Sequence, residues 1–229
     1  MEGNCSQCVV KNRICKDKDG VGPAFCSTLL YPEVIQKASD EYSKSDINKF
    51  AHAASAQEAS CYIDREATPV YKFPVKPRIQ EIIEFSRKMG YKKLGVAFCG
   101  GLHHEAAIFC NVLQKHGFEV VSVMCKVGGV DKSAIGIQDH ERVQIGKPEV
   151  MCNPIVQAGV LNAASTDFNI LIGLCVGHDS LFMKYSEAMV TVFAVKDRVL
   201  AHNPLGAIYT YEFYYERFKE DRIKDIEAK

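Results

Sequence analysis

The chain has 229 residues, 47% of them apolar, enough to bury a substantial core. Lys plus Arg and Asp plus Glu number 28 each, so the formal charge is zero. Nucleic acid or an anionic membrane as the main partner would call for a basic footprint that is missing, which leaves small molecules and proteins.

The sequence opens Met-Glu-Gly-Asn-Cys without an apolar signal region, and no run is long enough to span a bilayer. A cytoplasmic protein is expected. In that reducing setting the ten cysteines point to metal, clusters or redox chemistry rather than to disulfides.

Residues 1–31 hold Cys5, Cys8, Cys15 and Cys26 in a stretch with little apolar periodicity. Such a stretch cannot fold on burial alone, the usual condition of a metal-stapled knuckle. The two-residue gap between Cys5 and Cys8 lets one tight turn aim both thiolates at one ion, and the later pair can complete a tetrahedron. Zinc and a [4Fe–4S] cluster share this signature, and the spacing decides neither.

A helical segment and a connector make up 32–77. Val34, Ile35, Ala38 and Tyr42 share one helical face. Ser45-Asp46 reads as a new N-cap, followed by Ile47, Phe50, Ala51 and Ala54. Pro69, Pro74 and Pro77 mark 64–77 as the connector.

The core domain is expected over 78–206. It starts with an amphipathic helix over 78–89 that Gly90 stops. Strands over 93–99, 118–125, 168–175 and 189–195 then alternate with helices over 102–116, 154–164 and 178–187, and 126–150 is a long connection. The strands are continuous apolar runs, as when both faces are covered, and the helical crossovers imply a parallel sheet. The expected class is α/β, a Rossmann-like, mostly parallel sheet of about four strands with flanking helices. The tail, 207–229, carries Tyr211, Tyr215, Phe218 and Arg222 at helical spacing. It reads as a C-terminal helix packing on the domain or on a second subunit, so a homo-oligomer is among the expected states.

Three strands end on cysteine, each with glycine close behind: Cys99, Cys125 and Cys175. In a parallel sheet these ends share the edge where open α/β sheets bind ligands. Cys152, in the run Cys152-Asn153-Pro154 ahead of the next helix, opens on the same edge. Helix N-termini there favour thiolates and oxyanions. Cys99, Cys125, Cys152 and Cys175 are thus candidates to hold a second metal or cluster. His178, Cys175 and Cys99 are the candidate catalytic groups. His103, His104, His202, Asp197 and Arg198 also follow strands, in roles that structural N-caps fill as readily. Cys61 and Cys110 read as core. No G-x-G-x-x-G follows a strand and no Walker lysine is present, so nucleotide binding has little support.

Together CSQC with Cys15 and Cys26, YKKLGVAFCGGL, the CNP run, LCVGHDSLFMKYS and VKDRVLAHNP resemble one cysteine-rich family, known as domain of unknown function 1847. The resemblance runs from Cys5 to about Tyr209, and LCVGHDSLF is its most specific part. It implies metal binding and no particular activity. That family often carries a further cysteine two residues after the position of Cys125, where this chain has Val127.

Two functional classes remain open. One is a metal- or cluster-dependent enzyme acting on a small sulfur-containing or redox-active molecule at the sheet edge, with His178 moving protons. The other is a protein without turnover of that kind: a metal carrier, store or sensor, or a thiol-redox protein with one structural zinc.

Overall fold

The computed structural model describes residues 2–67 and 72–220. The chain forms two compact units, Met1–Pro74 and Val75–Lys229. The cysteine-rich segment and the helical segment thus belong to one unit.

In the first unit a 3-10 turn, Cys5–Gln7, opens the chain. The following loop closes on itself through Val21 N–H to the Asn12 carbonyl at 3.0 Å and Ile14 N–H to the Val21 carbonyl at 3.1 Å. The helices are α1 (Ser27–Leu30), α2 (Pro32–Glu41) and α3 (Ser45–Ser60). Pro32 sits where its missing N–H costs nothing. The apolar face expected of α2 exists as a pattern, yet no residue of α2 is buried. In α3 the buried positions are Ala53 and Gln57, while Ile47, Phe50 and Ala51 are half-buried and Ala54 is exposed. Ser45 is the first helical residue rather than the cap; Lys44 holds the cap position with no side-chain capping bond.

A short antiparallel ladder closes the unit. In it β1 (Tyr62–Ile63) pairs with β2 (Phe73–Pro74), a ladder the connector reading did not include. Proline is tolerated there because a two-stranded ladder is all edge. Pro69 lies outside the described residues.

The second unit opens with α4 (Arg78–Met89), which buries Ile82, Ile83, Phe85 and Ser86. Gly90 ends it in the left-handed region, with φ 80°, and Tyr91 N–H returns to the Ser86 carbonyl at 3.0 Å. Then follow β3 (Lys93–Phe98), α5 (His103–Lys115), β4 (Glu119–Met124), α6 (Pro154–Ala163), β5 (Phe168–Leu174), α7 (His178–Tyr185) and β6 (Val190–Val195). Within 126–150 two 3-10 turns form, Lys132–Ile135 and Asp139–Glu141.

The sheet order is β4-β3-β5-β6 and every pairing is parallel. The α/β sheet expected from the sequence is the observed fold. The reading that all four strands are covered on both faces holds for β3 and β5. It fails for β4 and β6, which have one neighbour each and stay largely half-buried or exposed. The core lies under the central strands, where Ala97, Leu161, Leu171 and Phe182 are almost wholly buried. Removing an apolar side chain of that size from water is worth about 1.5–3 kcal/mol.

The chain moves from β3 outward to β4, then crosses back past β3 to β5. The direction of winding therefore reverses between β3 and β5. In open parallel sheets that switch point leaves a crevice beyond the carboxyl ends of the strands.

The tail departs from expectation. A five-residue helix, α8 (Leu205–Tyr209), is followed by turns and a 3-10 turn at Glu216–Phe218, not by one helix from 207 onward. The run after Tyr209 is rich in Tyr and Phe, which lose side-chain freedom in a helix. Arg222 lies outside the described residues. Among the described residues no helix is long and apolar enough to cross a membrane.

Candidate functional site

The sheet ladder itself delivers the strand-end cysteines. Cys125 N–H donates to the Phe98 carbonyl at 2.9 Å, and Cys99 N–H donates to the Ile172 carbonyl at 3.0 Å. Each cysteine is thus the first residue past the last paired position of its strand. Cys152 arrives from the long connection and is held through its neighbour Asn153. Asn153 N–H donates to the Cys125 carbonyl at 2.7 Å, and the Asn153 side chain caps α6 by accepting from Val156 N–H at 3.2 Å.

Cys175 reaches the edge over a bulge. The β5–β6 register shifts on either side of Ile172, and Gly173 has φ +67°. A Cβ on Gly173 would stand 2.0 Å from Leu102 Cδ1, so the backbone there both turns and passes close.

The four thiols and His178 line one cavity with Gln157 and Leu174. Its volume is about 10 Å³, room for one water-sized sphere. Three of the sulfurs are in hydrogen-bonding contact, Cys99 with Cys125 and Cys125 with Cys152, and the signs of their shifts set the donor order from Cys99 to Cys125 to Cys152. Gly100 N–H also donates to Cys125 Sγ at 3.3 Å. The fourth, Cys175, accepts from Arg198 Nη2 at 3.3 Å.

The chain of thiols polarises the site. Donating to Cys125, with burial adding to it, pushes the Cys99 thiol up to about 12. Donating to Cys152 likewise raises Cys125. Cys152 only accepts, and it is lowered to about 7, with the nearby Lys126 charge reinforcing the effect. At Cys99 the neighbouring sulfur, followed by burial, acts against the lowering expected of a helix N-terminus. His178, the first residue of α7, is lowered by burial.

Other candidates have structural places. His202, with φ +64°, accepts from Asp197 N–H at 3.1 Å through Nδ1 and so belongs to a turn. Asp197 accepts from Val199 and Leu200 N–H at 2.9 and 2.8 Å. His103 is exposed and meets the Phe98 ring edge-on, and His104 is exposed. Cys61 is buried as expected, while Cys110 is half-buried on α5.

At the N-terminal cysteines the picture is looser. Cys5 and Cys15 are exposed, Cys8 is half-buried and Cys26 is buried. Asn4 N–H to the Phe25 carbonyl at 3.2 Å closes the segment, and Cys5 Sγ lies 3.2 Å from Ser27 Oγ. Among the described residues no group of three or more His, Cys, Asp or Glu side chains is arranged as it stands to hold a metal ion.

The sequence reading did not single out Gln157, Lys126 or Lys196. Lys196 hydrogen-bonds the Cys99 thiol, and its Nζ would stand 3.2 Å from a Cβ at Gly101. Gln157 had one available signal: it is the lone polar residue in the apolar start of α6, PIVQAGVL.

The family profile for a protein of unknown function, DUF1847, matches residues 26–193. The chain belongs to this family. Cys99, Cys125, Cys152, Cys175 and His178 all fall inside the match, whereas Cys5, Cys8 and Cys15 precede it. An uncharacterized protein of Methanocaldococcus jannaschii is 49% identical over 218 residues, covering 95% of this chain and 99% of the relative. No solved structure matches the chain.

Proposed function

We propose that this DUF1847 protein binds a single thiophilic metal ion at the carboxyl edge of the sheet, through Cys99, Cys125 and Cys152. The observation that carries it is the convergence of three sulfurs from separate parts of the chain on a cavity of about 10 Å³. Soft thiolate donors suit zinc and copper(I), and the volume suits one ion better than an iron–sulfur cluster. Binding would take the protons off the three thiols, so the S–H···S chain gives way to metal–sulfur bonds.

Lys126, Lys196 and Arg198 offset the negative charge that such a set of thiolates accumulates. Cys175 and His178 complete the rim, where an incoming small molecule meets the site. In the enzyme reading His178 is the proton carrier; in the carrier or sensor reading the rim governs how fast the ion leaves. The N-terminal cysteines are a separate candidate for a zinc ion or cluster, supported by their spacing and by the closure of Asn4 onto Phe25.

A second reading has its own support in the Cys125–Cys152 hydrogen bond. It is a dithiol that passes two electrons and two protons to a disulfide of another molecule and becomes a disulfide itself.

Purification without oxygen, followed by measurement of zinc, copper, iron and sulfide per chain, tests the proposal. The paired substitution Cys99→Ala with Cys152→Ala is expected to lose one ion per chain, while Cys5→Ala with Cys8→Ala leaves that ion in place. Metal content unchanged by the first pair sinks the sheet-edge site. A protein without metal whose Cys125 and Cys152 form a disulfide on mild oxidation selects the second reading.

A further inference from the structure

The wall of the thiol cavity includes a fully buried amide. Gln157 is 0% exposed. Its Nε2 donates twice, to the Val123 carbonyl at 2.8 Å and to the Phe98 carbonyl at 3.2 Å. Both acceptors are strand-end carbonyls, so the amide cannot be turned over without facing oxygen against oxygen. Its Oε1 is buried and finds no hydrogen-bond partner among the described residues. A buried acceptor left in that state costs about 1–3 kcal/mol, and native interiors rarely leave one so.

With the nitrogen committed to the strands, the oxygen is the polar atom this side chain offers to the cavity it lines beside Cys99, Cys125 and Cys152. An electron-poor centre is what would satisfy it. Cys175 lines the same cavity, its sulfur accepting from Arg198 Nη2 at 3.3 Å, and is the competing fourth ligand.

We infer that Gln157 Oε1 is an oxygen ligand of the ion held by Cys99, Cys125 and Cys152, so that the site is a three-sulfur, one-oxygen set rather than a closed four-thiolate one. This rests on the metal reading above. An amide oxygen is a hard, weak donor beside three thiolates. It holds the fourth position until a better ligand displaces it, which gives the ion the exchangeable position that closed structural sites lack. The class of molecule that would take the position is a small anion with a soft donor atom, such as hydrosulfide or an organic thiolate. Such a ligand is drawn in by Lys196 and Arg198 at the rim.

A crystal structure of the reduced, zinc-loaded full chain tests this directly. The expected result is zinc about 2.3 Å from three sulfurs and about 2.0–2.2 Å from Gln157 Oε1. Zinc bound by the three thiols with Cys175, His178 or a water in the fourth position, and Oε1 out of reach, overturns the inference and leaves the metal reading standing. A chain that takes up no thiol-bound zinc overturns both. Affinity measured by chelator competition is the second arm. Gln157→Leu is expected to weaken zinc on the order of 10-fold or more. Zinc affinity unchanged by Gln157→Leu would overturn the inference.

Discussion

Asn153 joins two parts of the site at once, donating its backbone N–H to the Cys125 carbonyl at 2.7 Å while its side chain caps α6 at Val156. Asn153→Ala removes the cap and leaves the backbone bond. The expected cost is about 1 kcal/mol of global stability, read as a shift in the urea midpoint at constant slope. Because α6 also carries Gln157, metal affinity should fall with it. A variant as stable as the parent would show that the cap does not hold this helix.

The sulfur chain predicts an order of reactivity in reduced, metal-free protein. Cys152, lowered to about 7, is alkylated before Cys125 and Cys99, with a rate that rises through neutral pH. Cys99, pushed up to about 12, is alkylated last. Mass mapping after brief iodoacetamide treatment at pH 7 reads the order, and early labelling of Cys99 would contradict the donor direction given to the chain.

Gly173 tolerates nothing larger. With φ +67° and a virtual Cβ 2.0 Å from Leu102, Gly173→Ala meets both strain and collision. A loss of about 2–4 kcal/mol is expected, from backbone strain of about 1–3 kcal/mol together with overpacking. Gly177→Ala, where nothing lies within 4 Å, should meet only the strain of φ +84°. Thermal melts of the two variants separate the contributions.

The long connection has its own pH signature. Asp131 accepts from Ser133 N–H at 2.8 Å and from Glu149 N–H at 2.9 Å, and it pairs with Arg142 at 2.9 Å. These bonds, led by Ser133, hold its carboxyl well below the usual 3.8. A depressed carboxyl contributes stability that is fully present above its unfolded value and is lost as pH falls toward the folded one. The melting difference between the protein and Asp131→Asn should therefore be constant from pH 7 to about pH 5 and shrink only in stronger acid. A difference that already fades near pH 6 would point to another group.

Much of this architecture was legible before any coordinates, for identifiable reasons. The runs that became β3 and β5 are apolar on both faces, and Gly90 marks the end of α4 without ambiguity. The meeting of Cys99, Cys125 and Cys175 follows from parallel strands alone. What stayed hidden depends on facts with no local signature. The Gln157 oxygen is orphaned only because two strand carbonyls claim its nitrogen, and those strands lie 34 and 59 residues away in sequence. Cys99 was expected to be acidified by a helix and is instead made less acidic by another thiol. The aromatic tail carries a helical spacing, but its residues are poor helix formers and the chain turns instead.

The bulge at Gly173 gives the cavity unequal walls. Cys99 and Cys125 ride on unbroken ladders, and the Asn153 bond clamps Cys152 to one of them. Cys175 alone stands beyond a break in register, with the pairing resumed only at Leu174 and Val195 just before it. Any change in the width of the cavity is therefore expected on that one side, the other three sulfurs being tied to regular pairing or to the Asn153 bond.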